Sequence, residues 1–454
     1  MIRALSLIAA MSLAACGTPQ TARQATGTLT LPPMNTFANA TPGRPTQSNS
    51  TLARDFIDLT FTLENGQNLP VFTRFEGPIA VRVLGRAPTS LTRDLDSLIE
   101  RLRREARIDI QRANANADAQ ITVQPVTRAQ IQRVAPSAAC FVRPNVSNWS
   151  EYRARRNDPE TFWNRLTERK KMAIFLPIDV SPQEIRDCLH EEIAQSLGPV
   201  NDIYRLTQSV FNDDNFHTVL TGFDMLILRA TYDTSLRTGM SRAEVTARLP
   251  AIFQRINPRG GRASIANIRP VNPAWQEAIT IATNPGENRG RRLTAARRAV
   301  VLAGGFGATD TRLAYSHYVL GRLSLARNPD QALGNFLAAG KIYQNRPDTA
   351  IHEAHVAMQI AAFQLSAGRA EVALGLVDRN IDTVTQSEHA ALLSLLLLIK
   401  AEALAVLDRP SDSATAQNDA LAWARYGFGK EADIRARVSE IRAISPRTRL
   451  DSPT

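Results

Sequence analysis

A chain of 454 residues, 44% hydrophobic and 21% charged, is long enough for two or three globular domains of ordinary composition. Its longest internal apolar run, Ala391 to Ile399, is under half of the ~20 residues a bilayer-spanning helix needs. That excludes an internal membrane span and predicts a buried helix instead. The formal charge of +11 favours acidic partners: phospholipid headgroups, lipopolysaccharide phosphates, peptidoglycan or an acidic protein.

The first residues have the order of a secretory signal: Arg3 as the charge, an apolar stretch from Ala4 to Leu13, then small residues leading into Cys16. The sequence "LAAC" resembles the bacterial lipobox, whose cysteine is acylated and becomes the new N-terminus. The resemblance implies removal of residues 1–15, a lipid on Cys16 and a place in the cell envelope. Gly17 stands where an inner-membrane retention signal would put Asp, which implies the periplasmic face of the outer membrane. An ordinary signal peptide with a chance cysteine is the alternative. Export argues against nucleic acid as a partner, so "ERKK" (Glu168 to Lys171) and "RGGR" (Arg259 to Arg262) read as solvated turns. If Cys16 carries lipid, Cys140 and Cys188 remain in an oxidising compartment, where a disulfide between them is expected. Two free buried thiols are the alternative.

Residues 16–51 are rich in Thr, Pro, Asn, Gln and Ser and read as a flexible tether, with a reach of about 30 to 35 Å. Residues 52–249 alternate between strands and helices. Strands are predicted at Ile79 to Gly85, Ala119 to Val126, "ACFVRP" and Met172 to Val180. Leu91, Leu95, Leu98, Ile99 and Leu102 recur at helical spacing and predict a helix over Ser90 to Ile108. Ser181-Pro182-Gln183-Glu184 opens another helix with a cap, a first-turn proline and a capping-box glutamate, and Gly198 stops it.

Residues 272–445 change to long Ala- and Leu-rich helical stretches. Three segments look alike, and their small residues Gly321, Ala361 and Ala401 recur every 40 positions. A fixed period of this size implies stacked helix hairpins. The pattern resembles tetratricopeptide repeats, with "GRAEVAL" at the turn between paired helices; a plain helical bundle is the alternative. His352 and His355 share a helical face without a third ligand and read as surface histidines.

The segment "CLHEEIAQSLGPVND", Cys188 to Asp202, is where chemistry would sit. Ile185, Leu189, Ile193 and Leu197 form an apolar stripe, while Glu191 and Gln195 share another stripe one turn apart, as ligands on a helix must. Glu192 lies near the apolar edge, where a carboxylate is costly without a partner or a role. His190 has Ala194 four residues on, so it does not open an HExxH pair. The segment is similar to the extended zincin metallopeptidase motif HExxHxxGxxH. With its glycine on Gly198, Glu191, Gln195 and Asn201 fall at the three ligand positions and Glu192 at the general-base position. "LTGFDMLILRATYD" (Leu220 to Asp233) looks like the helix that follows the site in that clan, but every ligand histidine is absent. This segment, with "SVFNDD" (Ser209 to Asp214) and the stretch ending at Met240, also resembles the proteobacterial domain-of-unknown-function family numbered 2927.

The expected architecture is therefore an α+β zincin-like domain, degenerate at its site, followed by an all-α helical-repeat domain. No metal or other cofactor is expected. The oxygen donors of Glu191, Gln195 and Asn201 would suit a hard cation such as calcium if any. The leading expectation is a non-catalytic binding or scaffolding lipoprotein, with an envelope protein partner on the repeats. The alternative is an atypical envelope hydrolase using Glu192 as general base, and the positive charge alone could serve adhesion to anionic envelope polymers.

Overall fold

The computed structural model describes residues 30–37, 43, 45–261, 272–344 and 346–446, so Cys16 lies outside the described residues. The described chain forms two compact units. The first contains α1 (Asn49–Phe61), β1 (Ile79–Val83), α2 (Thr89–Glu105), β2 (Ile110–Arg112), β3 (Ile121–Val126), α3 (Arg128–Val134), β4 (Phe141–Pro144), α4 (Trp149–Arg155), β5 (Met172–Pro177), α5 (Pro182–Leu197), α6 (Gly222–Thr231) and α7 (Arg242–Ile256). The second contains α8 (Pro273–Thr283), α9 (Arg289–Gly304), α10 (Thr311–Ser324), α11 (Pro329–Tyr343), α12 (Ala350–Ser366), α13 (Ala370–Gln386), α14 (Ala390–Val406), α15 (Pro410–Gly427) and α16 (Glu431–Ile444), together with residues 30–37. The chain is thus a small mixed sheet with helices, followed by an all-helical region.

The five strands lie in the order β2-β1-β3-β5-β4, with all pairs parallel except β4 against β5. A parallel sheet needs cover on both faces, and β5, buried along its whole length, shows how the sequence supplies it. Met172, Ile174 and Leu176 point into the main core with residues of α1, α2, α5, α6 and α7. Ala173 and Phe175 point the other way, where Phe175 meets Phe141, Trp149 and Tyr152. The period of two sorts the strand onto two cores. On α2, the predicted stripe of Leu91, Leu95, Leu98 and Leu102 is fully buried. β2 has three residues, too few to raise a periodic signal.

Two parts of the stretch read as a tether belong to the packed structure. Helix α1 starts at Asn49, capped by Ser48, whose Oγ accepts from the Thr51 N–H at 3.2 Å. It carries Leu52, Phe56 and Leu59 into the core. Residues 30–37 lie against α15, through contacts of Asn35 and Phe37.

In the second unit, consecutive helices pair: α8 with α9, α10 with α11, α12 with α13, and α14 with α15. The residues 40 apart do let helices approach closely. A Cβ on Gly321 would come within 2.8 Å of the Phe336 ring on α11, and Ala361 and Ala401 are buried on α12 and α14. Gly368, with φ +76°, lets the chain leave α12 in a left-handed turn. The run Ala391 to Ile399 is buried in α14, and no described helix is long and apolar enough to cross a membrane. His352 is fully buried rather than at the surface, because its ring packs 5.0 Å from that of Tyr343 on α11.

Candidate functional site

Helix α5 and the segment just after it hold the residues that the sequence singles out. Glu191, Glu192, Gln195 and Asn201 are all buried, none more than 8% exposed. The structure brings two of the three ligand positions together: Gln195 Nε2 donates to Glu191 Oε1 at 3.2 Å. The third is engaged elsewhere, since Asn201 Nδ2 donates to the Asp58 carbonyl at 3.0 Å. One residue earlier the Val200 N–H donates to the Leu59 carbonyl at 2.8 Å. The segment after Gly198 is therefore laid along the end of α1. Amide nitrogens turned towards a carboxylate and a carbonyl leave a donor set unlike that of a catalytic zinc, whose ligands include histidine nitrogen or cysteine sulfur even where a carboxylate completes them. These residues do not fit that metal. Among the described residues, no group of three His, Cys, Asp or Glu side chains is placed to hold a metal ion.

His190 has a different task. Its Nδ1 accepts from the Leu220 N–H at 3.1 Å. Burial, with Arg186 and Arg101 beside it, holds the imidazole well below its usual range and so neutral. The histidine fastens α5 to the segment entering α6. The Glu192 carbonyl accepts from Ser196 Oγ at 2.8 Å, which leaves the end of α5 to other donors.

Those donors come from a residue that sequence reasoning placed in solvent. Arg169, in the expected solvated turn "ERKK", is 3% exposed. Its Nη1 donates to the carbonyls of Gln195 at 2.6 Å and Ser196 at 2.7 Å, and its Nη2 to that of Gly198 at 2.6 Å. Its Nε donates to the carbonyl and hydroxyl of Thr73 at 3.1 and 3.0 Å. The last carbonyls of a helix have no partner within it and carry partial negative charge, and the last turn of α5 has no basic residue of its own. A guanidinium with a planar fork of donors satisfies three of these groups at once. Its ring partner is Trp163, 5.3 Å away, and burial lowers its pKa to about 10, so it stays charged at neutral pH. Helix α6 is finished in the same way: Arg74 Nη1 donates to the carbonyls of Thr231 and Asp233 at 3.0 and 2.9 Å. Tyr232 lies between the two ends, its hydroxyl donating to the Leu197 carbonyl at 3.1 Å.

Gly198 ends α5 for a steric reason. Its φ is not positive; instead, a Cβ there would meet Thr231 Cγ2 at 2.8 Å. The glycine lets the end of α5 touch the end of α6. The loop before α6 is organised by Asp224, which is fully buried. It accepts from Ser209 Oγ at 2.5 Å, the Val210 N–H at 3.2 Å and the Thr221 N–H at 2.8 Å. With Thr221 it forms the capping box that opens α6. Cys140 and Cys188 are joined as expected, with Cα atoms 6.0 Å apart. This bond ties the start of β4 to α5.

Residues 49–251 match the model of the family described as Protein of unknown function (DUF2927), in agreement with the resemblance read from Cys188 to Met240. No curated protein matches the chain.

Proposed function

We propose that this chain is a cell-envelope lipoprotein that works by binding, through a non-catalytic zincin-like α+β unit and a tetratricopeptide-like helical unit. The observation that carries the first half is the hydrogen bonding at the three ligand positions: Gln195 holds Glu191, and Asn201 holds the Asp58 carbonyl. Groups so engaged brace a turn rather than wait for a cation. Arg169 supports the same reading, because it puts a fixed positive charge at the end of the site helix, where a bound cation would be repelled. The paired helices and the buried small residues every 40 positions support the second half, since stacked hairpins present extended surfaces to polypeptides. The anchor at Cys16 and the outer-membrane location rest on "LAAC" and Gly17.

Capture from envelope extracts tests the proposal. The full chain should retain an envelope protein that a chain lacking residues 272–445 does not retain. Metal content by mass spectrometry and hydrolysis of envelope peptides should both be indistinguishable between the wild type and Glu192→Gln. Stoichiometric zinc, or hydrolysis lost in Glu192→Gln, would replace the binding reading with the hydrolase.

A further inference from the structure

Thr30, Pro33 and Thr36 are exposed, while Leu31, Pro32, Met34, Asn35 and Phe37 are partly covered. Exposure every third residue matches the three residues per turn of a polyproline II helix lying on a surface. Pro32 and Pro33 favour it by fixing φ and removing two backbone donors. The surface beneath belongs to α15, whose Asp419, Ala422, Trp423 and Tyr426 stand three, four and seven residues apart on one helical face.

Three kinds of contact read the segment. Asn35 is held twice: its N–H donates to the Ala422 carbonyl at 3.2 Å, and its Nδ2 to Asp419 Oδ1 at 3.0 Å. Arg425 Nη1 donates to the Pro32 carbonyl at 2.6 Å. The Phe37 ring stacks on Trp423, with centroids 4.3 Å apart, and meets Tyr426 edge-on at 6.2 Å. The main-chain bonds fix the direction of the segment. The amide and the ring select sequence, in the spacing Pro-x-x-Asn-x-aromatic.

We propose that this face of α15 is a peptide-binding groove for extended segments of that pattern. In the isolated chain, residues 31–37 fill it; a partner polypeptide presenting the same pattern takes their place. The contacts are few, and the segment is joined to α15 through a chain of 384 residues, so it competes only at the low effective concentration that a long connection gives. An incoming segment with a better ring or an added contact can therefore displace it. The groove deepens the binding reading of the helical unit and rests on it, while owing nothing to the lipid anchor or to the zincin-like site.

The test uses full-length chains and a fluorescein-labelled peptide with the sequence of residues 30–37, followed by anisotropy. An Asn35→Ala/Phe37→Ala chain, with its own segment weakened, should bind the peptide at least tenfold tighter than the wild type. Adding Asp419→Ala, a change at an exposed position that leaves the helix intact, should lower that affinity by about tenfold, the loss of one charge-assisted hydrogen bond. Equal binding by the two chains, or binding indifferent to Asp419, would overturn the groove. A dimer of the wild type in light scattering that the double variant loses would give the groove to a second copy, and overturn exchange with another protein. Peptide binding with the stated dependence supports the groove even if the envelope capture above returns nothing. Its absence sinks the groove whatever that capture returns.

Discussion

Replacing Arg169 by Met keeps a long unbranched side chain in the same channel and removes every donor. The carbonyls of Gln195, Ser196 and Gly198 then lose their partner, as do the two oxygens of Thr73. A buried acceptor left alone costs about 1–3 kcal/mol, so three helix-end carbonyls lose about 3–9 kcal/mol together. Against this, the variant no longer buries a guanidinium, whose desolvation costs several kcal/mol. The balance is a net loss of about 3 kcal/mol. Arg169→Lys should lose about half as much, because an ammonium has three donors where the fork reaches five acceptors. The two units can unfold separately, so a global melting temperature is a poor reporter. Hydrogen exchange of the α5 amides, read by mass spectrometry on the full chain, isolates the relevant opening. Lys170→Ala, next in sequence and exposed, is the control and should change nothing. If α5 protection in Arg169→Met falls by less than about 0.5 kcal/mol, a size typical of neutral surface changes, the guanidinium is not what completes this helix.

Two further outcomes follow from the same region. Burial raises the Asp224 pKa from 3.8 to about 6 despite its hydrogen bonds, so the folded state binds this proton more tightly than the unfolded one. The contribution of Asp224 to stability is therefore fully present below about pH 4 and is lost as pH rises to about 6. The shift of ~2 units corresponds to about 3 kcal/mol. Asp224→Asn should flatten this dependence when denaturation midpoints at pH 4.5 and 7.5 are compared, and an unchanged slope would count against it. Gly198→Ala should cost about 1–3 kcal/mol through the clash with Thr231 Cγ2. Thr231→Ser removes only that methyl group, so the double variant should regain at least half of the loss; simple additivity would show that the methyl is not the obstacle.

The elements with strong local signals were legible in the sequence. The Leu91 to Leu102 stripe, the apolar runs of β1, β3 and β5, and the start signals at Ser181 to Glu184 each announce themselves within one window. So did the 40-residue spacing of Gly321, Ala361 and Ala401, because it reports helix contacts through side-chain size. What stayed hidden depends on partners far along the chain. Arg169 sits in a run of charges and looks solvated; only the folded contact with carbonyls 26 to 29 residues later shows otherwise. One clue was available: α5 ends without a basic residue in its last turn, so its carbonyls had to find donors elsewhere. In the sequence Gly198 reads as a conformational stop, yet its role is spatial and depends on Thr231. Residues 30–37 look like linker by composition, and their covered side is visible only with α15 beneath them.

The contact between Asn35 and Asp419 joins positions 384 residues apart in sequence. Everything between them, including the entire sheet, has to be synthesised before it can form. Closing a loop of that length is slow and late compared with pairing neighbouring helices, so the helical hairpins can assemble first and acquire their N-terminal segment last. Shortening the chain from either end then removes the same contact. A fragment beginning after Phe37 and a fragment ending before Pro410 should resemble each other in lacking this closure, although they share neither terminus.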